Sequence, residues 1–143
     1  MKKVFVGSDH AGFQFKIQLI EALAKTMGLQ FVDLGCPSDA RVDYPDFAKA
    51  VAQKVAAGEG LGLLICGSGQ GMAMSANRFK GVRAAVCWDL VSTRLSRSHN
   101  DANIMTIGSR LIPLGLAAEM AEIFFSAKFE GGRHLERVKK IEV

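Results

Sequence analysis

Apolar and polar residues follow one another along this chain in blocks that switch between two periods. Short apolar runs of five or six residues read as strands. Between them lie longer stretches with apolar residues three and four apart, which read as helices. The run closing on Val4-Phe5-Val6-Gly7 predicts a first strand. From about Gly12 to Met27, the residues Phe13, Ile17, Ile20, Ala24 and Met27 make one apolar stripe, predicting a helix stopped by Gly28. A second strand, Gln30 to Leu34, breaks at Gly35-Cys36-Pro37. A polar loop leads to Tyr44-Pro45-Asp46, which starts a helix through Val55 that Gly58 stops. Leu61 to Cys66 predicts a third strand, followed by a helix to about Phe79. Val82 to Trp88 predicts a fourth strand, after which Asp89 can cap a short helix from Leu90 to about Ser98. Asn103 to Ile107 predicts a fifth strand. Pro113 begins a helix to about Phe125 that turns Leu114, Ala117, Met120, Ala121 and Phe124 inward, and Gly132 to about Lys140 predicts a short last helix.

Five strand–helix units with no internal repeat or linker predict a single domain over residues 1–143. Its expected class is α/β, a three-layer Rossmann-like sandwich whose five-stranded parallel sheet is covered by helices on both faces. In such sheets ligands bind beyond the carboxyl ends of the strands, near a topological switch point. The loops on that edge are Ser8-Asp9-His10, Cys36 to Tyr44 and Gly67 to Gly71, and all three carry polar residues that packing does not require.

Composition narrows the function classes. At 143 residues, 49% hydrophobic and 22% charged, the chain is ordinary for a soluble enzyme-like domain with a real core. No apolar run approaches the roughly 20 residues of a membrane span. Asp9 and His10 come too early for a signal peptide, and three cysteines without CxxC spacing suggest free thiols in a reducing cytoplasm. The formal charge of +4 is mostly scattered, with no aromatic–basic interleaving, which argues against nucleic acid and for a small anionic substrate. Arg133-His134-Leu135-Glu136-Arg137 and Lys139-Lys140 concentrate that charge near the end of the chain.

The densest chemistry is Cys66-Gly67-Ser68-Gly69-Gln70-Gly71. A strand ends in a thiol, a loop with glycine at every second position follows, and a helix begins. Glycine permits positive φ and close approach, so several N–H groups can aim at one point. A cysteine there sits where general electrostatics favours the thiolate. The same residues also suit a packing turn and a small inert buried thiol. A dinucleotide site, with Asp89 as its ribose acid, is disfavoured because GxGxG is not GxGxxG and no room remains for a substrate domain.

Other candidates carry paired readings. Asp9 can cap the first helix, while His10 can donate to a phosphate or sugar oxygen. Ser68 is either a turn residue or a hydroxyl in the cradle. Asp43-Tyr44 is a helix start or a ligand hydroxyl. His99 can complement a helix dipole or act with Asn100 and Asp101. Arg133 and Arg137 share one helix face, either solvated or a double fork for phosphate, which Gly131-Gly132 would free to fold over a ligand. His10, His99 and His134 show no metal-ligand spacing and no acidic cluster suits Mg²⁺, so no metal is expected.

Taken together, Gly7-Ser8-Asp9-His10-Ala11-Gly12, Asp43-Tyr44-Pro45, Cys66-Gly67-Ser68-Gly69-Gln70-Gly71, Ser98-His99-Asn100-Asp101-Ala102-Asn103, Gly108-Ser109-Arg110 and Glu130-Gly131-Gly132-Arg133-His134 resemble the type B ribose-5-phosphate isomerases. These belong to a wider group with allose- and galactose-6-phosphate isomerases, and the likeness covers essentially the whole chain. It implies a cofactor-free and metal-free aldose–ketose isomerisation of a phosphorylated sugar through a cis-enediolate, with Cys66 as base. Gly67, Ser68, Gly69, Gln70 and Gly71 would hold the enediolate oxygen. His99 would open the furanose ring, and Asn100 would orient sugar oxygens. Arg110, Arg133, Arg137 and His10 would hold the phosphate, so that the segment 130–143 contributes to phosphate binding. Asp9 and Tyr44 would complete the substrate site. Ser68 stands where relatives often carry threonine, and Met72 where some carry a glutamate base, which places the chain in the cysteine branch. Pentose phosphate is the expected substrate. The alternatives are a hexose 6-phosphate, or a sugar-phosphate or nucleotide binding module without catalysis; flavin binding lacks an aromatic pair to sandwich the ring. His99 precedes the fifth strand whereas Cys66 ends the third, so they lie on opposite sheet edges, roughly 17–20 Å apart. A homodimer with shared active sites is therefore expected, with a tetramer as the alternative.

Overall fold

A computed structural model describes residues 1–143. Five strands, β1 (Lys2–Ser8), β2 (Leu29–Asp33), β3 (Leu61–Cys66), β4 (Ala84–Val86) and β5 (Ile104–Gly108), form one all-parallel sheet in the order β2-β1-β3-β5-β4. The helices are α1 (Phe13–Thr26), α2 (Tyr44–Ala56), α3 (Gln70–Ala76), α4 (Leu90–Ser98), α5 (Leu114–Ser126) and α6 (Arg133–Lys139). Side chains on successive strand residues point to opposite faces, so each central strand feeds two cores. Val4, Val6, Leu63, Ile65, Met105 and Ile107 pack with α1 and α5. Phe5, Leu64, Cys66 and Ile104 pack with α2 and α3 on the other face. This is the expected three-layer α/β sandwich. No helix is long and apolar enough to cross a membrane.

The connection from β1 runs outward to β2, while β3 lies on the other side of β1. Loops leaving β1 and β3 therefore diverge at the carboxyl edge and open a crevice between them. Asp9, at the end of β1, accepts the Gly12 N–H and caps a single 3₁₀ turn (His10–Gly12) ahead of α1.

Three elements differ from their sequence readings. The expected stripe on α1 is out of phase: Ile17 and Ala24 are exposed, and Lys16, Leu19 and Leu23 are buried instead. Lys16 takes an inward position because its ammonium is satisfied there, donating to Asp33 Oδ1 at 2.9 Å and to the Cys36 carbonyl at 2.8 Å. The helix after β3 stops at Ala76, short of Phe79. Asn77 folds across to β4 instead, donating to Ala84 O at 2.9 Å and accepting from Ala84 N at 2.8 Å. β4 spans only Ala84–Val86: the Arg83 N–H before it is taken by the side-chain oxygen Asn103 Oδ1 instead of a strand carbonyl.

Candidate active site

β3 delivers Cys66 to the centre of the carboxyl edge, where the side chain is almost fully buried. Gly69 has φ +80, a conformation costly for any residue with a Cβ, and it turns the chain so that its N–H donates to Cys66 Sγ at 3.1 Å. Thr106 Oγ1 donates to the Gly69 carbonyl at 3.0 Å and ties the turn to β5. Gln70 N–H donates to Ser68 Oγ at 3.3 Å. The N–H groups of Gly67 and Ser68 find no acceptor within the chain. The sulfur thus sits at the focus of a main-chain loop that still has donors free for an oxyanion.

Beside this loop lies a cavity of about 460 Å³ lined by Asp9, Tyr44, Cys66, Gly67, Ser68, Gly71, Arg110 and Leu111. Three strand ends and the start of α2 contribute, so the loops expected to converge do so. Tyr44 lies so close over Gly71 that a Cβ there would come within 2.5 Å of its ring. The Arg110 guanidinium lies beside Gly67 and brings positive charge to the rim. Asp9 caps a helical turn and lines the cavity at once. His10 accepts the Val42 N–H on Nδ1 at 3.2 Å, which anchors the loop before Tyr44 and leaves Nε2 as its donor.

His99, Asn100, Arg133 and Arg137 gather elsewhere. His99 is the C-cap of α4, ahead of β5, and the segment after α5 returns to the same amino edge, where Glu130 N–H donates to the Ser98 carbonyl. His99 Nε2 meets Glu130 Oε2 at 3.3 Å, and its ring stacks on His134 with centroids 4.1 Å apart. Burial holds the His134 imidazole below the usual histidine range, with His99, Arg133 and Arg137 adding to the effect against Glu130. Arg133 and Arg137 are exposed on α6. Asn100 lines a second, larger cavity of about 590 Å³, together with Arg78, Lys80 and Arg83. That larger space contains no thiol and none of the glycine loop. The Cys66 cluster and the His99 cluster therefore lie on opposite edges of one chain's sheet.

A model of the ribose/galactose isomerase family matches residues 4–141. The chain belongs to that family. Ribose-5-phosphate isomerase B of Escherichia coli (strain K12) is 44% identical over 142 residues, covering 99% of this chain and 95% of that protein. The solved ribose-5-phosphate isomerase B of Clostridium thermocellum superposes with a TM-score of 0.94 at 44% identity, covering 97% of this chain and 94% of that one. The Mycoplasma genitalium enzyme of the same name, solved with bound ribulose-5-phosphate, gives 0.92 at 42% identity over 97% and 93% of the two chains.

Within this ribose/galactose isomerase the dinucleotide rival fails at Asp89, whose carboxylate caps α4 by accepting the Ser92 N–H at 2.6 Å; that bond holds it below the usual carboxylate range. His99, Glu130 and His134 are scattered in sequence, yet their potential ligand atoms lie within 4.8 Å of one another. Glu130 and His134 were absent from the expected site residues, although Glu130-Gly131-Gly132-Arg133-His134 is where the tail's charge and glycine coincide. Burial raises the Cys87 thiol above its ordinary value, in keeping with an inert core position.

Proposed function

We propose that this isomerase interconverts ribose 5-phosphate and ribulose 5-phosphate, in active sites each built from two copies of the chain. The observation that carries the reading is Cys66 Sγ at the focus of the Gly67–Gly71 loop, on the wall of a cavity that also offers Asp9, Tyr44 and Arg110. His99 transfers the proton that opens the furanose. The Cys66 thiolate then takes the C2 proton and returns it to C1, while the loop amides hold the enediolate oxygen, where charge develops only along the reaction. The Ser68 hydroxyl relays the proton between O1 and O2. Asn100 orients sugar oxygens, and Arg110, Arg133, Arg137 and His10 hold the phosphate. The pentose is favoured because the relatives named above are ribose-5-phosphate isomerases, one of them solved with ribulose-5-phosphate.

The two-copy site follows from reach. A proton-transferring group must lie within about 3 Å of its target or one water away, and His99 and Cys66 sit at opposite ends of strands of five and six residues. Trp88, Val91 and Leu95 are exposed apolar residues on and just before α4. Val91, Leu95 and His99 follow at intervals of four, so a second copy covering that face meets His99 as well.

The test has two arms. In a coupled assay, ribose 5-phosphate should turn over faster than allose 6-phosphate or galactose 6-phosphate; preference for a hexose would reassign the substrate, and no turnover would leave a binding module. Inactive Cys66→Ser and His99→Ala proteins, mixed and allowed to exchange, should regain about a quarter of wild-type activity, since half the dimers are mixed and each has one intact site. No recovery despite demonstrated exchange refutes the shared site.

A further inference from the structure

We propose that His99, Glu130 and His134 form a binding site for a divalent transition metal of the Zn²⁺ type, and that the bound ion silences the isomerase. The three side chains come from separate elements: the end of α4, the segment after α5 and the first turn of α6. Two imidazoles and one carboxylate are a donor set that Zn²⁺ accepts with a fourth position left for water, whereas Mg²⁺ and Ca²⁺ require oxygen donors. Their ligand atoms already lie within 4.8 Å of one another. Bonds of about 2.0–2.1 Å place tetrahedral donors about 3.4 Å apart, so closure draws them in by an ångström or so. Glu130 is exposed and His99 is about a third exposed, so both can rotate toward a fixed His134.

A second observation points the same way. His134 is 7% exposed, and its Nε2 is buried with no hydrogen-bond partner. Buried polar atoms are nearly always paired, and an orphan calls for an explanation. With the ring proton on Nδ1, this nitrogen presents a free lone pair beside the His99 ring. A metal ion would satisfy it. Nothing in the proposed isomerisation uses His134 or Glu130, so the cluster's geometry is left over once that chemistry is accounted for. The silencing rests on the function proposed above: an ion held by His99 occupies the imidazole nitrogen needed for proton transfer during ring opening.

Binding is measured without sugar. Chelator-stripped protein titrated with Zn²⁺ against a chromophoric chelator should take up one ion per chain. Co²⁺ in its place should give the visible bands of a tetrahedral site and no thiolate charge-transfer band. Glu130→Gln, at an exposed position, and His134→Ala, its fold checked by circular dichroism, should each weaken binding by at least about tenfold. In the isomerase assay, Zn²⁺ inhibition should be reversed by chelator, and in Glu130→Gln it should require a correspondingly higher Zn²⁺ concentration. Unchanged binding in both variants overturns the site. So does a thiolate band that disappears in Cys66→Ser, or equal inhibition of wild type and Glu130→Gln. Loss of the isomerase reading alone would leave the binding results standing, which keeps the two failures distinct.

Discussion

Replacing Gly69 with alanine should damage both the fold and the chemistry, by amounts the structure sets. Gly69 holds φ +80, and a Cβ there would lie 3.0 Å from the Ile107 carbonyl carbon and 3.2 Å from the Gly108 nitrogen. Those neighbours are backbone atoms of the central strand β5, so they cannot swing aside as a side-chain tip would. The left-handed conformation costs about 1–2 kcal/mol for a residue with a Cβ, and forcing an extra carbon into a packed site about 1–3 kcal/mol more. The expected loss is therefore about 2–5 kcal/mol, which lowers a urea midpoint by roughly 1–3 M at fixed protein concentration. Relief of the strain must move the Gly69 N–H away from Cys66 Sγ and shift the free Gly67 and Ser68 donors. Losing one such donor costs about 10²–10³ in turnover in comparable loops, so kcat should fall by about two orders of magnitude with KM little changed. Gly115→Ala is the control, because nothing lies within 4 Å of its Cβ position and its φ is unremarkable; it should melt and turn over like wild type. A Gly69→Ala protein with wild-type midpoint and kcat refutes the reasoning.

Two further outcomes follow from buried charge and from titration. Lys16→Met should lose about 2–4 kcal/mol in urea unfolding, because the buried Cys36 carbonyl is left unpaired while half-exposed Asp33 rehydrates; a loss under about 1 kcal/mol would show that the buried ion pair contributes little. The His134 value is lowered in the fold, so the folded state binds its proton less readily than the unfolded chain. Stability should accordingly fall as pH drops below about 6.5 and continue falling until the lowered value is passed. That part of the pH–stability slope should be missing in His134→Gln, and an identical slope in both proteins counts against the assignment.

Much of this molecule is legible in its sequence where one physical signal dominates. Leu61–Cys66 and Leu90–Ser98 fall where pattern and capping place them, because an unbroken apolar run and an Asp cap each leave one solution. The phase of α1 was not legible. Phe13, Ile17, Ile20, Ala24 and Met27 make a plausible stripe, and only the tertiary partners Asp33 and Cys36 make Lys16 an acceptable inward residue. The Cys66 loop was legible because glycines at alternate positions have few other uses. The His99–Glu130–His134 cluster was not, since spacing rules see ligands only along one element and these three meet through the return of the chain after α5.

The donors around Cys66 are main-chain N–H groups, and this separates two kinds of heritable change. Substituting Gln70 or Met72 alters a side chain on the loop or behind it, yet leaves every amide in place. Changing Gly69 moves the amides themselves, because left-handed strain and a collision with the β5 backbone meet any Cβ there. Side-chain replacement at Gln70 and Met72 can thus proceed while the main-chain donors stay fixed. Gly69 is then held in place by the side chain it lacks.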